Sequence, residues 1–98
     1  MSYAAYIAED QRLAVLSVLA ADAGYAHNDR VLQSALAVVG HAVSSDRVRT
    51  IIGWLQEQEL VTVEEVGDLL VSKLTTRGLD VAHGRAAQAG VRRPRPGR

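Results

Sequence analysis

The stretch SSDRVRTIIGWLQEQELV, residues 44–61, decides the fold. Val48, Ile51, Ile52 and Leu55 recur at helical spacing and make one apolar stripe. Ser44 or Ser45 supplies the N-cap, and the helix is expected to run to about Gln58. The polar side divides in two: Ser45, Arg47, Arg49 and Thr50 at the start, Gln56 and Glu57 at the end. Whether such a helix reads DNA or only packs depends on its neighbours in the chain.

Upstream, Asn28 caps a second helix that begins with Asp29 and carries Val31, Leu32, Ala35, Leu36 and Val39 at the helical period, ending at Gly40. The short link GHAV (residues 40–43) joins it to the third helix, which is the helix-turn-helix pattern. A first helix starts after Ser2, is apolar nearly all round from Leu13 onward, and stops near Gly24. Apolar residues on every side imply burial on more than one side, and in a chain this short the second side is expected to meet a second subunit. Downstream, residues 60–63 and 69–74 read as strands joined by the loop EEVGD, a hairpin beside the helix-turn-helix. Thr75 caps a fourth helix, with Leu74 and Leu79 spaced as a hydrophobic staple and Gly78 and Ala82 leaving room for a close neighbour. The order is three helices, a two-stranded wing and a C-terminal helix: an α+β, mostly α, winged helix-turn-helix domain over residues 1–84. Residues 85–98, rich in Arg and Pro, are expected to be a disordered tail.

Composition narrows the function. The 98 residues suit one domain, with 48% hydrophobic residues but no Phe, so the core is made of small aliphatic side chains. The net charge of zero hides an asymmetry. Residues 1–84 hold six Lys/Arg against eleven acids, a balance of −5, while residues 85–98 hold five Arg and no acid. There is no Cys, and His27, His41 and His83 lack metal-ligand spacing, so neither a metal nor a cofactor is expected. No phosphate loop or nucleophile motif points to an enzyme. No apolar run approaches the roughly 20 residues of a membrane span, and no basic region precedes the longest one, so the expected location is cytoplasmic.

The segment DRVRTIIGWLQEQELV, the hairpin and LTTRGLDVA together resemble the winged-helix transcription regulators of the ArsR and MarR type. The chain is also similar to a family of small proteins encoded by Mu-like phages and prophages, through AEDQRLAVLSVLA, VLQSALAVVGHAVSSDRVRT, WLQEQELVTVEEV, LTTRGLDVAHGR and GVRRPRP, which cover most of residues 8–96. The resemblance implies a DNA-binding regulator of phage genes in the cytoplasm of the host bacterium. One position departs from the winged-helix motif: Glu59 stands where that motif normally has Gly before the Leu-Val pair. Gly there would end the helix in the left-handed conformation without steric cost, so Glu59 implies strain or a different exit.

On this reading the third helix offers Ser44, Ser45, Arg47, Arg49 and Thr50 to the major groove of double-stranded DNA, and Arg92, Arg93 and Arg95 of the tail (with Arg98) neutralise phosphates. A homodimer through the first and last helices would then bind a palindrome. Against it, the wing tip carries Glu64, Glu65 and Asp68, which phosphate repels. The competing expectation is a winged helix reused as a protein-interaction or assembly module that binds no DNA, with its partner at the acidic wing. Trp54, at the edge of the apolar stripe, is expected to pack over the hairpin or the first helix.

Overall fold

A computed structural model describes residues 2–96. Four helices and three strands follow in the order α1 (Tyr3–Ala21), β1 (Ala26–Asn28), α2 (Asp29–Val38), α3 (Ser45–Glu57), β2 (Val61–Val66), β3 (Leu69–Leu74) and α4 (Thr76–Ala82). The protein is α+β and mostly helical. Each helix starts on the cap that its sequence advertises. The side chains of Ser2, Asn28, Ser44 and Thr75 accept the amides of Ala5, Val31, Arg47 and Gly78 at 2.9–3.0 Å.

The core gathers Val15, Leu16 and Leu19 of α1, Leu32 and Leu36 of α2, and Val48, Ile51, Ile52 and Leu55 of α3. Leu60, Val61, Leu74, Val81 and Ala82 close it from the sheet and α4. The stripe read from residues 44–61 is therefore the buried side of α3. Gly78 sets the depth of α4: a Cβ there would collide with the Leu60 carbonyl oxygen and lie 2.8 Å from Leu74 Cδ2. No helix of the described residues is long and apolar enough to cross a membrane.

Helices α2 and α3 both end in left-handed turns with the paired hydrogen bonds of the Schellman motif. After α2, Gly40 has φ 97° and the His41 amide reaches the Leu36 carbonyl at 2.8 Å. After α3, Glu59 takes the same role with φ 62°, and the Leu60 amide reaches the Leu55 carbonyl at 3.0 Å. Glu59 thus follows the route expected of Gly and carries the strain itself. Its carbonyl accepts the Thr75 hydroxyl at 2.8 Å, which ties the exit of α3 to the cap of α4.

Three features differ from the sequence reading. The sheet is antiparallel with three strands in the order β1-β3-β2, not two. β1 pairs Ala26 with Lys73 and Asn28 with Val71. At three residues β1 is too short to show alternation in the sequence. The hairpin turn is also tighter than a five-residue loop. Val66 pairs with Leu69, so only Gly67, at φ 62°, and Asp68 form the turn. Glu64 and Glu65 lie within β2, opposite Val71 and Leu70.

The third difference concerns the C-terminal segment, read as a disordered tail. Residues 85–96 lie on the body. Val91 is 7% exposed within the core, and Ala86 packs against it. Arg12 Nη1 donates to the Gly90 carbonyl at 2.9 Å, and the Arg92 amide to the Glu9 carbonyl at 3.3 Å. Arg77 donates to Gln88 Oε1 at 2.7 Å. Gly90, at φ 92°, lets the backbone touch Trp54, where a Cβ would lie 2.6 Å from the ring. Charge and Pro content signal disorder, but one buried Val and a few spaced hydrogen bonds suffice to fasten so short a segment. Arg98 falls outside the described residues.

Candidate nucleic-acid interface

The outer side of α3 is left uncovered by the other described residues. Ser45, Asp46, Arg49, Thr50, Gln56 and Glu57 are exposed on it. A shallow groove runs between this side and the hairpin, lined by Arg49, Gly53, Gln56, Val63 and Glu65. Gly53 sits in the middle of the helix, and a Cβ there would meet nothing within 4 Å. Its absence keeps the groove floor low without any intramolecular need for it.

The structure brings Ser44, Ser45, Arg47, Arg49 and Thr50 together at the start of α3, but most of them already have partners. Ser44 is the N-cap. Ser45 is exposed. Arg47 Nε donates to Gln11 Oε1 of α1 at 3.2 Å. The Thr50 hydroxyl donates to the Asp46 carbonyl one turn back, at 3.0 Å. Arg49 is the most engaged: its Nε donates to Asp29 Oδ2 at 3.0 Å and its Nη2 to the Asp68 carbonyl at the hairpin turn.

Asp29 organises this junction. It is the first residue of α2, where the helix dipole favours an acid, and it is only 4% exposed. Its Oδ1 accepts the Leu70 amide of β3 at 3.0 Å. Burial alone would raise its pKa; the Leu70 amide and the Arg49 guanidinium outweigh burial and hold it below the ordinary carboxylate value. Arg30 adds an exposed pair to Asp68 at 3.0 Å. The hairpin turn is therefore tied to α2 and α3, and the charge of Asp68 is partly met, while Glu64 and Glu65 remain exposed.

Arg92, Arg93 and Arg95 form a second group along the C-terminal segment. Arg92 Nη1 donates to Asp10 Oδ1 at 2.8 Å, and its guanidinium lies 5.0 Å over the Tyr6 ring. Asp10 also receives His41 Nε2 at 2.7 Å, so one carboxylate joins α1, the α2–α3 turn and the C-terminal segment. Burial opposes ionisation of Asp10, but the bonds from His41 and Arg92 hold its pKa below the ordinary value. Arg93 donates to the Gly84 carbonyl at 3.2 Å, and Arg95 is exposed. No hydrogen bond among the described residues links this group directly to the one on α3.

Sequence reasoning missed Asp10, Gln11, Arg12 and Asp29 as members of this surface. Each reads locally as an ordinary helix residue, because its partner lies between 20 and 82 positions away. Trp54 does meet the first helix, as expected: the Arg12 guanidinium stacks 4.0 Å over its ring. The backbone of Gly90 against the same ring was not legible.

The chain is 51% identical over 90 residues to protein gp26 of Escherichia phage Mu, covering 92% of this chain and 93% of that protein. The chain belongs to the family of this Mu protein. A protein of Haemophilus influenzae is 44% identical over 80 residues, covering 81% of this chain and 78% of the relative. No protein-family model matches the chain, and no solved structure matches it. The expected kinship with small proteins of Mu-like phages and prophages therefore holds. Among the described residues, no three His, Asp or Glu side chains converge as metal ligands.

Proposed function

We propose that this Mu-family protein is a winged-helix, DNA-binding regulator of phage genes, with α3 laid in the major groove. The element order, with a short strand between α1 and α2 and the sheet order β1-β3-β2, supports the winged-helix reading. The observation that carries the DNA reading is the uncovered outer side of α3, flanked by the α2–α3 turn and the hairpin. Ser45, Thr50 and Gln56 present hydrogen-bonding groups to base edges, Gly53 lets the groove wall approach, and Arg49 is held in place at the wing junction. Arg93 and Arg95 add positive charge near the backbone.

A homodimer belongs to this reading. Leu13, Ala14, Ser17, Val18 and Ala21 of α1 form a shallow apolar groove with Val39, beside Val38, which is 86% exposed. A second subunit covering this face would double the reading helix and favour a palindrome with half-sites about one helical turn apart.

The second reading, a protein-interaction or assembly module, is favoured by the hairpin. Glu64 and Glu65 are exposed, Val66 is 51% exposed, and β2 is an edge strand that another chain could extend. Binding of the full chain to phage genome fragments over a salt series separates the two. A regulator binds some fragments in preference to others and weakens steeply as salt rises. Absence of binding to any fragment at about 50 mM salt would remove the DNA reading and leave the module.

A further inference from the structure

The C-terminal segment closes a half-open cavity of about 590 Å³ against α1 and the end of α4. Leu13 of α1, Pro94 and Pro96 give it apolar walls, and His83, Arg93 and Arg95 supply the polar ones. The mouth of the cavity is fastened at Gly84, which also lines it. Arg93 Nη2 donates to the Gly84 carbonyl at 3.2 Å. A Cβ on Gly84 would lie 3.2 Å from Pro94 Cγ, and the residue has φ 78°, so both the close approach and the backbone conformation call for Gly. The volume falls in the range of small-molecule sites, roughly 300–1,000 Å³.

The charge of this cavity is one-sided. No acid lines it. Arg85 and Arg92 of the same segment are met by Asp80 of α4 and Asp10 of α1, at 3.0 and 2.8 Å. Arg93 and Arg95 meet no carboxylate among the described residues, and both are exposed. Two guanidiniums on the wall of one cavity repel each other, and an oxyanion between them replaces that repulsion with charge-assisted hydrogen bonds. Leu13 lines the apolar groove beside Val39 as well, so the cationic cavity opens next to an apolar face. A ligand that fits both has an anionic head and an apolar body.

We propose that this cavity binds a small phosphate monoester with an apolar or aromatic body. The phosphate lies between Arg93 and Arg95, with His83 as a further hydrogen-bonding group, and the body covers Leu13 between the two prolines. Arg93 is held in position by the Gly84 carbonyl. Arg95 forms no hydrogen bond among the described residues, so its fork is available to the ligand. The inference goes beyond the DNA reading, because no residue of α3 lines the cavity. Long-range attraction of a DNA backbone by the same arginines does not require the cavity to be filled.

Titration of the full chain with phenyl phosphate at constant ionic strength tests this, read by the methyl NMR signals of Leu13 and Val39. Inorganic phosphate, benzyl alcohol and a random-sequence duplex are titrated in parallel. Arg93→Gln also removes the bond to Gly84, so Arg95→Gln is the deciding variant. Phenyl phosphate is expected to shift Leu13 saturably, and to bind more tightly than either inorganic phosphate or benzyl alcohol. Arg95→Gln should weaken phenyl phosphate roughly tenfold and leave benzyl alcohol unchanged. The absence of a saturable Leu13 shift, or equal binding of phenyl phosphate by Arg95→Gln, overturns the proposal. So does a response at Val39 in place of Leu13, which would put the ligand in the apolar groove alone. Equal binding of inorganic phosphate refutes the apolar body, and a Leu13 shift produced by the duplex but not by phenyl phosphate gives the cavity to a DNA backbone instead.

Discussion

Replacing Glu59 by Gly is expected to stabilise the protein. Glu59 ends α3 at φ 62°, where an L residue brings its Cβ close to the following carbonyl. That conformation costs about 1–2 kcal/mol, and Gly escapes it. Gly in turn loses more chain entropy on folding, about 0.5–1 kcal/mol. The net gain is therefore about 1 kcal/mol. The side chain of Glu59 is exposed and forms no hydrogen bond or ion pair among the described residues, so little is lost with it. The Thr75 hydroxyl bonds the carbonyl of this residue, which Gly retains. For a chain of this size, about 1 kcal/mol raises the melting temperature by roughly 4–8 °C. Thermal and urea denaturation of Glu59→Gly and Glu59→Ala check the reasoning together. Ala removes the carboxylate but keeps the Cβ, so it should gain nothing. Equal gains from Ala and Gly would show that charge, not backbone strain, was the cost, and a loss in Glu59→Gly would refute the argument outright.

Two further outcomes follow from the packing and the charges. Val91→Ala should destabilise the fold by about 2 kcal/mol, because it empties a buried site in the core; an unchanged urea midpoint would return residues 85–96 to a loose tail. Asp29 has a pKa lower in the folded state than in the unfolded chain, so its contribution is complete above about pH 4 and is lost as pH falls through the depressed folded value. Asp29→Asn should therefore be less stable than the parent at neutral pH, and the gap should close on acidification toward about pH 2. A gap that is constant across that range, measured by urea midpoints, would mean that the carboxylate charge contributes nothing.

Much of the fold was legible because it is specified locally. Four caps lie within three residues of the amides that they satisfy. The α3 stripe lies within eight positions, and Gly78 reveals its close contact simply by being Gly inside a helix start. What stayed hidden was specified at long range. β1 exists because β3 offers an edge to three residues with no pattern of their own. The C-terminal segment is ordered by Val91, by a left-handed Gly90 and by acceptors on α1, none of which weighs much in a window counting Arg and Pro.

The same division limits how the candidate site can be read. Sequence identified the exposed cations of α3 but not their obligations. Arg49 would look free on any helical projection, yet it neutralises the buried Asp29 and contacts the hairpin turn. Withdrawing it to reach a base would strand a buried carboxylate, which is costly. Arg49 therefore suits the role of a brace that sets the angle between α3 and the hairpin. Arg47 looks equivalent two residues earlier, but among the described residues its side chain meets only the neutral amide of Gln11. Of the two, Arg47 is thus the cation that can turn to a new partner at small cost. Charge that a fold tolerates without a partner is better evidence of binding than charge that the fold already consumes.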